Sequence, residues 1–291
     1  MDAVGILQKA FPAQTVVRRN RGGAVAIRKN TLIFIIACIL VWAAAWLAKR
    51  QRRCLIIILA LIISTVAGII FPQKFYEFRA KNTMGSGVPA MAYIAMGMQW
   101  SEGRSPGEWN GYHADLFMDC SYDAEETSRI SAEAVKTSLK YMMSNPGYMA
   151  EFYYYKLVGQ WDREDFMCLY ETLEFYGNRT SAAWEIYQGR AKDGLMSLMS
   201  VYQSLVYLGA ALFCISGMVR WKKGDSDMSS VGTLPLLATF TGGFLFSMIW
   251  ETSPRYAMPY FVMLIPYAAD GLAGISYYLE ETFLSRKRRG E

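Results

Sequence analysis

The sequence predicts an all-α, polytopic membrane protein, with about five transmembrane helices and one large, mainly helical loop domain on the extracytoplasmic side. Three observations lead there. Of 291 residues, 53% are hydrophobic and the mean hydropathy is positive, which places the chain among membrane proteins. The apolar residues gather into runs of membrane-spanning length, whereas a soluble core would scatter them at helical or strand period. Basic residues punctuate the ends of those runs, where lipid head groups and orientation explain them.

The first 30 residues form a basic segment carrying Lys9, Arg18, Arg19, Arg21, Arg28 and Lys29. They hold no long apolar run with a small-residue cleavage site behind it, so an ordinary secretory signal is not expected. Thr31 to Ala48 and Cys54 to Phe71 read as the first two spans, each near the roughly 20 residues that cross hydrocarbon. The tight link between them contains Lys49, Arg50, Arg52 and Arg53, a cluster strongly favoured inside. Further spans are expected at Val201 to Val219, Val231 to Trp250, and Tyr256 to about Ser276. Alternation then places Arg220, Lys222 and Lys223 inside, with the tail 277–291 and its cluster Arg286, Lys287, Arg288 and Arg289. It places residues 72–200 and the short link Glu251 to Arg255 outside. The N-terminal segment, put outside by the same alternation despite its charge, is expected to be a truncated outer loop whose upstream spans lie beyond this chain.

Pro72 is expected to end the second span and open the loop domain. Asp123 is placed to cap a helix, with Glu126 at N3 completing a capping box, and that helix should end near Ser144. Asn145 and Pro146 restart a second helix that runs to Trp161, since proline suits the first helical turn. Before this pair, residues 87–117 mix Gly, Pro and aromatic residues, as an irregular segment folded over a surface or cleft would.

That segment holds the first candidate site. Trp100, Trp109 and Tyr112 are aromatic surfaces on which sugar rings can stack. Glu108, His113, Asp115 and Asp119 can supply hydrogen bonds, and His113, Asp115 or Asp119 general-base chemistry. The alternative is an interfacial aromatic belt or the small core of a loop domain, with His113 a solvated or structural residue. Cys120 and Cys168 are the two loop cysteines available for a disulfide. No cysteine or histidine spacing matches a metal site, so neither metal nor cofactor is expected, and the basic residues sit at span ends and not in a nucleic-acid-binding patch. Asn178 to Thr180 matches the glycosylation triplet.

The second candidate site is the short outer link. Arg255, at the membrane boundary, has the planar fork that takes phosphate oxygens two at a time, at the depth where a lipid-linked phosphate lies. Snorkelling to ordinary head groups, with a local pair to Glu251, is the alternative.

The stretch ETSPRYAMPYFVMLIPYAADGL resembles the closing segment of GT-C membrane glycosyltransferases, including protein mannosyltransferase and aminoarabinose transferase relatives. There an acidic residue, Arg-Tyr and prolines precede a final helix that ends in small residues. The words AYIAMGMQ, NGY, NP and GQW are similar to loop words of large clostridial-type members, so the likeness covers most of residues 72–275. It implies transfer of a sugar from a polyprenyl-phosphate donor to a cell-envelope acceptor, by inverting displacement with an acidic base. Arg255 would hold the lipid phosphate and Glu251 would help orient it. In that family the catalytic acid sits in the first outer loop between the first two of many more spans. Here the first inter-span link is the inside-facing basic turn, so the chain resembles the C-terminal half of such an enzyme. The partners this implies are the bilayer, the donor lipid, and an N-terminal membrane half or a homologous subunit. Two other functions remain open: a non-catalytic scaffold whose outer loop binds glycan or a protein, and a transporter, which would require internal repeats or mid-membrane polar residues that are not evident.

Overall fold

The computed structural model describes residues 31–169, 184–186, 188–222 and 234–289; the basic N-terminal segment, the triplet Asn178 to Thr180 and Lys223 lie outside the described residues. Among the described residues the secondary structure is helical, without a strand, and the sole β feature is an isolated parallel bridge between Glu108 and Thr252. The chain divides into two units, residues 1–86 and 87–291.

In the first unit, helix α1 (Thr31–Lys49) and helix α2 (Arg52–Ala80) pack as a hairpin around the tight basic turn. Arg50 makes that turn in the left-handed region, with its guanidinium over the Trp46 ring. Cys54, Ala37 and Cys38 are buried, while Leu55, Ile56, Leu59, Ile62, Ile63, Val66, Ile69 and Ile70 are exposed. Pro72 does not end α2. The helix continues to Ala80 because Gln73 and Lys74 both bond the Glu77 carboxylate, at 3.2 and 2.8 Å, side-chain pairs at the spacing that supports a helix. It stops at Lys81, which is left-handed and donates its backbone N–H to Glu77 O.

The second unit begins with two short helices, α3 (Ala90–Gly97) and α4 (Tyr112–Asp119), joined by an irregular loop, 98–111. Helix α5 (Ala124–Ser144) starts where Asp123 accepts the N–H groups of Glu125 and Glu126, at 2.8 and 3.1 Å. The expected capping box is only half formed. Glu126 turns instead to Arg129, which bonds both of its oxygens at 2.7 and 2.8 Å. Helix α6 (Pro146–Trp161) follows with proline in its first turn. Phe152, fully buried, forms a small core with Met98 and Met142.

Three helices close the unit: α7 (Arg190–Lys222), α8 (Leu234–Ile249) and α9 (Pro254–Arg289). Helix α7 starts at Arg190, before the expected Val201, and α9 runs past Ser276 to Arg289. Their contact is built from Val206, Ala210, Phe261, Leu264, Tyr267 and Ala268. Gly209 and Gly271 let the two backbones approach closely, since a Cβ at Gly209 would lie 2.5 Å from Ala268 O and one at Gly271 2.8 Å from Phe213 N, as in apolar helix pairs. Among the described residues four helices are long and apolar enough to cross a membrane: Thr31–Ala48, Arg52–Ala80, Arg190–Val219 and Pro254–Ser276. The expected fourth span of five is shorter, because α8 has 16 residues, roughly 24 Å of helix.

Candidate functional site

The link Trp250 to Ser253 between α8 and α9 is held by partners that come from far along the chain. Helix α6 presents Phe152, Lys156 and Gln160 along one face, at i, i+4 and i+8, and all three are buried. Lys156 is 1% exposed. Its Nζ donates to Gly97 O at 2.5 Å and to Trp250 O at 2.8 Å, so one amine ties the end of α3 to the end of α8. Gln160 Oε1 accepts the Ser253 N–H at 2.8 Å. Next along the helix, Trp161 donates its ring N–H to Ser247 Oγ at 3.2 Å, and its carbonyl accepts from Gln203 and Tyr207.

The 98–111 loop grips the other side of the link. Thr252 donates its N–H to Gly107 O at 2.7 Å and its hydroxyl to Pro106 O at 2.8 Å. Gly107 has φ +72, and a Cβ there would lie 2.6 Å from Gly97 O and 2.9 Å from Thr252 Oγ1. Only glycine satisfies both that conformation and that approach. Gly97 is equally constrained, since a Cβ would sit 2.6 Å from the Trp250 carbonyl carbon. Three backbone segments therefore converge on the Lys156 amine.

Glu251, 4% exposed, points into this junction and accepts the Tyr256 hydroxyl at 2.7 Å. Its charge reaches several neighbours. Burial pushes the Lys156 amine down to about 7, against the opposing pull of Glu251. Burial likewise lowers His113, with Glu251 and Asp115 acting the other way, and raises the Tyr93 phenol, where Glu251 adds to the effect. A column of rings runs beside these groups: Phe246 on Trp250 at 4.9 Å, Trp250 on Tyr93 at 5.3 Å, and Tyr93 on His113 at 4.5 Å.

The residues singled out in the sequence fall in different settings. His113 is half-buried in the ring column, with Nδ1 3.3 Å from Met96 Sδ. Asp115 and Asp119 lie exposed on α4, Asp115 beside Gly111. Trp100 and Trp109, 38% and 50% exposed, meet through Arg104: the Trp100 ring N–H donates to Arg104 O at 3.2 Å, and the Arg104 guanidinium stacks on Trp109. Tyr112 joins that loop through its backbone N–H, which Asn110 Oδ1 accepts at 3.0 Å. The Glu108 carboxylate closes the same loop by accepting the Ser105 N–H at 2.9 Å. Cys120 carries a free thiol, so the disulfide with Cys168 is not formed.

Glu251 and Arg255 differ in setting. Glu251 is buried, whereas Arg255 is exposed on the first turn of α9 with its guanidinium 5.5 Å from the centre of the Tyr256 ring. Tyr256 connects the two. Lys156, Gly107 and Thr252 were not singled out from the sequence; the one available signal was the i, i+4, i+8 series that aligns Lys156 with Phe152 and Gln160.

Among the described residues no group of three metal-ligating side chains converges. No protein-family model matches the chain, and neither a curated protein nor a solved structure matches it.

Proposed function

We propose that this chain is a multi-pass cell-membrane protein of the GT-C glycosyltransferase type. It binds a polyprenyl-phosphate-linked sugar at Arg255 and serves transfer of that sugar to a cell-envelope acceptor. The observation that carries the reading is the contrast at the head of α9, where a buried, clamped link ends in an exposed arginine that starts an apolar helix. The fork of an arginine there meets phosphate oxygens bidentately. The exposed apolar surface of α1 and α2 supports the membrane setting, and the basic clusters support an outer location for the loop domain and an inner one for the C-terminus. The exposed pair Trp100 and Trp109 supplies stacking surface for sugar, and Asp115, Asp119 and His113 are the general-base candidates.

The experiment is binding and transfer by the full chain in lipid nanodiscs with a radiolabelled polyprenyl-phosphate hexose. Arg255→Ala is expected to weaken binding at least tenfold, and equal binding by both proteins would sink the phosphate role. Binding without transfer would favour the second reading, a non-catalytic scaffold whose outer loop binds glycan or a protein.

A further inference from the structure

The buried amine of Lys156 is a group that phosphate binding by itself does not use. It lies on α6, yet its two acceptors belong to residues 59 and 94 positions away, and the second of them, Trp250, opens the link that leads to Arg255. Its cation is not needed for either bond, because a neutral amine has two N–H groups for two carbonyls. The pocket around it is also specific: Gly107 leaves room for the amine and for Thr252 at once.

We propose that Lys156 is a positioning residue, which bolts the α8–α9 link to the loop domain and thereby sets the place of Arg255. This rests on the phosphate reading of Arg255. With the bolt closed, Trp250 O, Thr252 N and Ser253 N are all held, and Arg255 follows within two residues of the last of them. With the bolt lost, Gly97 O and Trp250 O lose a buried donor and the link must find water or move.

Docking is also proton-linked. Glu251 is the charged group that acts on Lys156, and Glu251 in turn acts on His113 of α4 and Tyr93 of α3, with Asp115 also facing His113. An undocked amine titrates near its ordinary 10.5 and the docked one near 7, so raising the pH between those values favours docking.

The test uses the full chain in nanodiscs, with hydrogen exchange at residues 250–256 and affinity for a polyprenyl-phosphate hexose, a phosphodiester whose charge does not change near neutrality. Lys156→Met should speed exchange in the link at least tenfold, leave α5 protected, and weaken the lipid at least tenfold. Wild-type affinity should climb from pH 7 to pH 9, and that slope should vanish in Lys156→Met. If Lys156→Met fails to fold, Thr252→Val, which removes only the hydroxyl bond to Pro106, should give the same changes in smaller measure. Unchanged exchange in the link, or faster exchange with unchanged affinity, would overturn the inference. Failure of the phosphate reading looks different: wild type and Arg255→Ala would bind the lipid equally, whatever the link does.

Discussion

The α1–α2 hairpin and the clamp around the α8–α9 link obey opposite rules of burial. In the hairpin, Ile62, Ile63, Val66 and Ile70 face outward, at 44–59% exposure for the four. In the clamp, Lys156, Gln160, Glu251, Thr252 and Ser253 are buried, each at 6% exposure or less. The hairpin leaves its apolar surface outside, as a segment long and apolar enough to cross a membrane does. The clamp takes polar groups inside and satisfies them, Lys156, Gln160 and Thr252 with backbone partners and Glu251 with the Tyr256 hydroxyl. Its specificity comes from hydrogen-bond geometry and that of the hairpin from composition.

A lysine distinguishes the two regions most sharply. Ile63→Lys puts a cation on the outward face of α2, where a charge near a span centre costs about 2.5–3.5 kcal/mol of insertion; an in vitro membrane-insertion assay should show the hairpin inserting far less efficiently. An unchanged insertion yield would mean that this face does not meet hydrocarbon. In the clamp the effect is reversed, because there removing a lysine does the damage. Lys156→Met should destabilise the second unit by about 2–3 kcal/mol, as two buried carbonyls lose their donor at roughly 1–3 kcal/mol each, offset by better burial of the side chain. Thermal unfolding in nanodiscs measures it, and a neutral or stabilising result would show that the two carbonyls find other partners.

The pH response sharpens the same contrast. Lys156 titrates at about 7 when clamped and at 10.5 ordinarily. Between those values the unfolded chain binds a proton that the clamped amine has released, so stability rises with pH through this window and is lost as pH falls towards 7. His113 is shifted below 6.5 and Tyr93 above 10.0, so neither titrates between pH 7 and pH 9. The melting temperature of the second unit should therefore climb over that range, and much less so in Lys156→Met. The smallest expected effect is local to α5: Asp123→Ala removes a cap that accepts two backbone N–H groups and should cost about 1 kcal/mol, with no change in exchange at the link.

The same division explains what could be read in the sequence. The long apolar helices were legible because their residues form uninterrupted apolar runs, and the start of α5 because Asp123 caps it through residues two and three positions away. Pro146 marked the start of α6 for an equally local reason. Pro72 misled because Gln73, Lys74 and Glu77 carry the helix past it. The clamp was illegible because it depends on pairing across long separations. Nothing in the run from Phe152 to Trp161 distinguishes a buried lysine from a solvated one; only the packing of Gly97, Gly107 and Trp250 around its amine does. Arg255 is legible only as a residue type at the end of an apolar run, and the burial of Glu251 near it, bonded to Tyr256, is not.

The most direct test of the account is thiol labelling along the link, in a chain whose five native cysteines have been replaced by serine or alanine. Arg255→Cys and Ser253→Cys place single thiols two residues apart, to be challenged from the outer side of sealed vesicles with a membrane-impermeant maleimide. Rapid labelling is expected at position 255, and protection at position 253 that is lost when Lys156→Met is added. Equal labelling at the two positions, or labelling at 255 only from the inner side, would contradict a clamped link that presents Arg255 to the outer leaflet.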